Sequence, residues 1–206
     1  MSWNWLGWVA WIGALALFCY VIHYIRVHQL MLIAKTKKTF DSKLIVRYII
    51  LLVISVSWLG AMVYLTFMRP VEIDNHQQTT TKISYQSLQM NNKGDDYYYV
   101  LAKHSDEGKR PVVSYTYWSG DNEYTTTSRF GSVADGNRLV PLDASDLPWD
   151  KKELKKQDSR TGSAFAAVMK VRYKNTVLNG LGLKANRNAA TFTLIRVPSS
   201  EMVSER

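Results

Sequence analysis

Two apolar runs, at residues 5–25 and 48–68, dominate the first third of the chain. Each has roughly 20 residues, enough at ~1.5 Å per residue for a helix to cross an apolar layer of about 30 Å. Neither contains Asp, Glu or Pro. The pattern predicts a transmembrane hairpin of two helices. Pro70 stops the second run, and from residue 82 onward short β-like runs replace the long ones. Strands are predicted at 82–89, 96–103, 111–118, 123–130, 164–174 and 190–197, with a shorter one at 176–183. The strongest signal is Phe165, Ala167, Met169, Val171 and Tyr173, interleaved with Lys170, Arg172 and Lys174. Alternation with period two marks a strand with one buried and one wet face. Asn92-Lys93-Gly94-Asp95, Ser119-Gly120-Asp121-Asn122 and Asn186-Arg187-Asn188 supply residues that tolerate the positive φ of tight turns.

The expected architecture is therefore a transmembrane hairpin (1–69), a linker (70–81) and a mainly-β domain (82–206). The β-domain is expected to be an antiparallel sandwich or small barrel with one short helix. That helix is placed at 146–156, with Asp146 as its cap, Pro148 in its first turn, and Lys155 and Lys156 at its C-terminal end.

Charge orients the hairpin. Arg26, Lys35, Lys37, Lys38, Lys43 and Arg47 crowd the segment 26–47, against the single acid Asp41. The opposite flanks offer only Arg69. An excess of Lys and Arg beside helix ends marks the cytoplasmic side. The loop is thus expected in the cytoplasm, with both termini and the β-domain extracytoplasmic in a two-pass plasma-membrane protein. Trp3, Trp5, Trp8 and Tyr64 near one boundary, and Tyr20, Tyr24 and Tyr48 near the other, suit the membrane–water interface. The start Met-Ser-Trp-Asn-Trp carries no basic side chain, unlike a cleaved signal peptide. Gly7, Ala10 and Ala14 on the first helix, and Ser57 and Ala61 on the second, have the spacing of close helix packing.

The net charge of +9 is unevenly distributed. Residues 1–69 hold seven basic and one acidic side chain, and residues 70–206 hold 19 and 16. The high pI reports orientation in a membrane, and nucleic acid is not an expected partner. The lone cysteine, Cys19, allows no internal disulfide, and no Asn-x-Ser/Thr site occurs. For a small extracytoplasmic domain, both facts favour a bacterial cell envelope.

No catalytic set, metal site or cofactor motif stands out. His23 and His28 lack the i, i+4 spacing of metal ligands on a helix, and His104-Ser105-Asp106 reads as a hairpin turn. Asp143, Asp146 and Asp150 do not match a calcium loop. The membrane runs offer no acid for a proton relay. Tyr97, Tyr99, Tyr115, Tyr117, Trp118 and Tyr124 fall in adjacent predicted strands and form a candidate aromatic binding patch. Lys151, Lys152, Lys155 and Lys156 form a candidate contact for anionic headgroups or wall polymers.

The opening Met-Ser-Trp-Asn-Trp-Leu-Gly, the apolar run, Ile25-Arg26 and Lys35-Thr-Lys-Lys-Thr-Phe40 resemble an uncharacterised family of small two-span membrane proteins of Gram-positive bacteria. The resemblance implies a bacterial membrane setting and carries over no site residue. The expected function is membrane-anchored binding or scaffolding of an envelope partner, such as another membrane protein. A hydrolase or transferase with a cryptic site, and an accessory or sensor subunit of a larger membrane complex, are the alternatives.

Overall fold

In the computed structural model, which describes residues 2–36, 41–73, 75–93, 96–105, 112–136 and 138–205, both apolar runs are helices. Helix α1 spans Asn4–Thr36 and α2 spans Ser42–Val63, with a π-helical turn, Tyr64–Met68, continuing α2. By length and composition, both could span a membrane. The predicted loop 26–47 is mostly helical instead. Residues 26–36 contain neither Gly nor Pro, so nothing in them stops α1 at residue 25. Arg26 and Lys35 therefore ride on α1, and Lys43 and Arg47 on α2, all exposed. Lys37 and Lys38 lie outside the described residues. Asp41 caps α2, its side chain accepting from the Lys43 amide at 3.0 Å.

The chain divides into two compact units. One comprises Met1–Glu72 with Tyr173–Arg187, and the other Ile73–Arg172 with Asn188–Arg206. In the first, α1 and α2 meet along a seam of Ala14 and Val21 against Tyr48, Ser55 and Met62, all buried. The spacing of seven within each helix is that of knobs-into-holes packing. Ser57 and Ala61 take no part, because they lie on the exposed side of α2. Ala10 is half-buried, and Gly7 is buried against the segment 173–187. That segment holds α4 (Val177–Leu181) where a strand was expected. The Thr176 side chain accepts from the Asn179 amide at 3.3 Å and starts a helical turn at a run with no period-two alternation.

The second unit contains ten strands, counted among the described residues: β1 (Thr79–Ser87), β2 (Asn91–Lys93), β3 (Asp96–Tyr98), β4 (Val100–Ser105), β5 (Val112–Ser119), β6 (Asn122–Thr127), β7 (Gly131–Ala134), β8 (Phe165–Tyr173), β9 (Asn188–Arg196) and β10 (Val203–Glu205). One sheet has the order β1-β8-β9-β7, a second β10-β4-β5-β6, and β2 pairs with β3 alone. Pairing is mixed rather than wholly antiparallel, since β7 runs parallel to β9 and β10 to β4. Both parallel partners are edge strands of three or four residues, too short to announce themselves by alternation. The predicted strand 96–103 is interrupted at Tyr99, and Gly120 (φ 57°) makes the tight turn from β5 to β6. Gly94, Asp95, Asp106 and Pro111, to which other expected turns and strands extended, lie outside the described residues.

Helix α3 (Lys151–Thr161) begins and ends five residues later than expected. Asp150, not Asp146, is its cap, accepting from the amides of Lys152 and Glu153 at 3.0 and 3.2 Å. Gly162, at φ 60°, closes it, so Lys155 and Lys156 sit mid-helix. Leu154 and Trp149 pack with Phe165, Ala167, Met169, Val171 and Leu194 on one face of the first sheet. On the opposite face, Ala164, Ala166, Ile195 and Val197 pack with Val100 and Tyr117 of the second. The first half of β8 is thus buried on both faces, where one wet face was expected. Its small residues, Ala164 and Ala166, let the second sheet approach.

Arg196, almost wholly buried on β9, pairs with Asp158 of α3 at 2.9 Å and donates to the Gly136 carbonyl. Asp158→Ala leaves that guanidinium without its counter-charge. The expected loss lies toward the lower end of about 3–5 kcal/mol, since Asp158 is partly solvated. Chemical denaturation followed by near-ultraviolet circular dichroism measures it, and Asp158→Asn should lose less.

Candidate functional site

Beyond Ala166 the two sheets separate. Val168 is still buried, but Lys170, two residues further along the same face of β8, is exposed. The gap is an open cleft of about 690 Å³, within the size range of small-molecule sites. Tyr117 and Tyr124 line one wall, their rings stacked at 5.4 Å and 17°. Phe130 and Val168 add apolar surface. The remaining lining is hydroxyl and amide, with Thr126, Thr191 and Gln86 among it, and among the described residues Lys170 is its single charged one. A cleft of this kind can hold a ligand with an apolar face and many hydrogen-bonding groups. It gathers no acid–base pair. The signal in the sequence was the succession Thr125, Thr126, Thr127 and the pair Thr191, Thr193, hydroxyls in strands otherwise built from apolar and aromatic residues.

The predicted aromatic patch is divided by the sheet. Tyr117, only 2% exposed, belongs to the core, with Tyr99, Tyr115 and Tyr124 packed against the same cluster. Strand alternation turns Trp118 to the other face, where it meets Tyr98 edge-on at 6.1 Å. Tyr97, at 60% exposed, stands open to solvent. The six residues therefore do not form one flat face, and two of them, Tyr117 and Tyr124, reappear as a cleft wall. Burial pushes the Tyr117 hydroxyl above the ordinary tyrosine range, partly opposed by a hydrogen bond with Thr193. Burial, aided by Asp143, also raises Tyr115.

Lys151, Lys152, Lys155 and Lys156 are exposed together on the side of α3 away from Leu154, and Lys156 meets Glu153 at 3.5 Å. Asp143 accepts from the Ser132 hydroxyl at 2.7 Å and lines a smaller pocket of about 170 Å³ with Asp146, while Asp150 is spent as a helix cap. No three His, Cys, Asp or Glu side chains converge on a possible metal position among the described residues.

A second polar constellation lies within the first unit. The segment Tyr173–Arg187 closes on the N-terminus of α1 and on the residues after α2. The Asn4 side chain donates to the Ala185 carbonyl at 3.1 Å and accepts from its amide at 3.0 Å. Asn175 accepts from the Trp3 amide at 2.9 Å. Asn179, fully buried, donates to the Lys174 carbonyl at 2.9 Å and accepts from Arg69 at 3.4 Å. Lys184 donates to the Arg69 carbonyl at 3.0 Å and lies 5.5 Å from the centre of the Tyr173 ring. Burial, then the Arg69 charge, lowers the Lys184 pKa. A Cβ on Gly182 would lie 2.6 Å from the Leu65 carbonyl oxygen, and one on Gly180 would collide with the Trp3 backbone. Asn186 takes the positive φ of 61° that Asn tolerates in turns, whereas Leu183 at 58° holds a conformation that close packing sustains.

Two long apolar helices followed by a mainly-β region define the class of chain. Residues 2–204 match the model of an uncharacterised family named after a Lactobacillus locus, and the chain belongs to that family. No curated protein matches it. No solved structure matches it either.

Two outcomes follow from this geometry. Asn4→Ala removes both bonds to Ala185 and should cost about 1–3 kcal/mol locally. Hydrogen exchange of the Ala185 amide should accelerate by one to two orders of magnitude, while amides of β8 and β9 stay protected. Separately, the raised Tyr117 keeps its proton in the folded state at pH values where the unfolded chain has lost it. Stability should therefore be level below pH 10 and fall as pH rises from 10 towards the folded value. Tyr117→Phe should flatten that alkaline decline in a series of denaturation curves.

Proposed function

We propose that the chain is a membrane-anchored binding protein of a bacterial envelope, with the cleft between its two sheets as the ligand seat. The observation that carries the anchor is the outward face of the helix pair. Trp5, Trp8, Ile12, Leu15, Ile50 and Val53 are exposed, and in each helix's most apolar 18-residue stretch only 17% and 11% of residues are buried. A core helix of a water-soluble protein would turn such side chains inward, so lipid is the solvent that suits this surface. The exposed basic residues near the α1–α2 connection fit the cytoplasmic side, and the β-region then faces outward with both termini.

The cleft supports binding rather than chemistry, because its stacked tyrosines and hydroxyls offer contact surface without a nucleophile–base pair. A scaffold that presents this cleft to the envelope is the reading retained, and the two sheets sharing one cluster are consistent with a sandwich-like β-domain. The lysine face of α3 is a second contact in this reading, suited to headgroups or wall polymers.

Two substitutions test both halves of the proposal. In a Cys19→Ser background, Thr125→Cys should react with a membrane-impermeant maleimide in intact cells. Reaction only in inverted vesicles would reverse the orientation. A photo-reactive amino acid at position 126, which faces the cleft, should yield adducts in intact cells, and Thr191→Trp, which fills the cleft, should remove them. Absence of any adduct would leave an anchor without a cleft ligand and overturn the binding half.

A further inference from the structure

Strand register brings like charges together at the mouth of the cleft. The Leu88 amide donates to the Ala164 carbonyl at 3.1 Å, and the Ser84 hydroxyl to the Val168 carbonyl at 3.3 Å. Positions rise on β1 as they fall on β8, so the strands run antiparallel, and the same register sets Lys82 opposite Lys170. Alternation places Lys82 on the face of β1 that carries Ser84 and Gln86, both of which line the cleft. Both lysines are exposed, and neither makes a hydrogen bond or ion pair among the described residues. Like charges directly opposite each other destabilise a sheet. Among the described residues no carboxylate lines the cleft to offset them. Deeper in, the Gln86 side-chain oxygen is buried without a donor among the described residues, although a buried acceptor ordinarily has one.

We infer that the cleft takes an acidic glycan, a short run of sugar units bearing carboxylates. This rests on the binding reading above and names its ligand class. An anionic group between Lys82 and Lys170 removes their repulsion and forms charge-assisted hydrogen bonds. A sugar hydroxyl supplies the donor that the Gln86 oxygen lacks. Thr126 and Thr191 each offer a donor and acceptors, which matches a ligand whose hydroxyls do the same. The apolar face of a sugar ring lies against Tyr124 and Phe130. An acidic peptide satisfies the lysines but brings few hydroxyls for the threonines.

The test is calorimetric titration of the full chain in neutral detergent micelles at low salt. The probes are a tetramer of galacturonic acid, neutral maltotetraose, tetra-glutamate, and phosphatidylglycerol added to the micelles. The uronate tetramer should bind, at least tenfold more tightly than maltotetraose or tetra-glutamate. Lys82→Ala with Lys170→Ala should weaken it tenfold or more, and Gln86→Leu should weaken it several-fold. Lys43→Ala with Lys103→Ala, both exposed and outside the cleft lining, should leave it unchanged, which separates the cleft from general surface charge. The proposal is overturned if the uronate fails to bind, or if maltotetraose binds equally. It is likewise overturned if tetra-glutamate or phosphatidylglycerol occupies the cleft in preference, or if the Lys82/Lys170 variant binds normally. Adducts at position 126 without uronate binding would sink the ligand class while sparing the binding reading.

Discussion

Burial of the first half of β8 on both faces is the constraint from which the β-region follows. A strand covered on one side needs only one partner layer, whereas this one needs two. Leu154 and Trp149 press on one face, and Val100 and Tyr117 cover the other. The small side chains of Ala164, Ala166 and Ala167 make that double contact sterically possible. Where the alanines end and Lys170 begins, the second layer has nothing apolar to press upon. The sheets part there, and the cleft is the result of a change in side-chain type along a single strand.

The joint around Tyr173–Arg187 obeys a different rule. It is held by backbone-directed hydrogen bonds from Asn4, Asn175 and Asn179 and by glycines that admit close backbone contact. Such contacts tolerate little variation in shape, since an amide bond or a glycine contact is lost outright on substitution where an apolar contact would merely loosen. The strained φ at Leu183 belongs to the same logic. Local cost is accepted so that a short segment can reach two helix ends at once.

Elements with a long and consistent period were legible in the sequence. The apolar helices and β8 are the clearest cases, because each repeats its signal over nine residues or more. Strands β7 and β10 were not, since four or fewer residues cannot display alternation and their partners are distant in sequence. The start of α3 was misplaced because Asp146 and Asp150 are equally good caps in isolation. The segment before Asp150 is folded into turns closed by the bond from the Trp149 ring to the Ala144 carbonyl, and the burial of Trp149 that fixes it comes from the tertiary core. The aromatic residues were visible as a set, yet alternation divided them between core and surface. The cleft itself depends on how two sheets diverge, which no single strand encodes. Ser57 and Ala61 had the right spacing for packing but the wrong rotational phase. The seam chose Ser55 and Met62 instead.

The hydrogen bond between Trp3 and Asn175 spans 172 residues. During synthesis, the start of the first helix emerges long before its partner segment exists. The amides and glycine surface at that end must wait, solvated or lent to another protein, until the segment 173–187 has been made. Closure of this joint thus comes after both helices and most of the β-region have been synthesised. Products that stop before residue 175 would keep an open N-terminal end that a protease could distinguish from the closed joint.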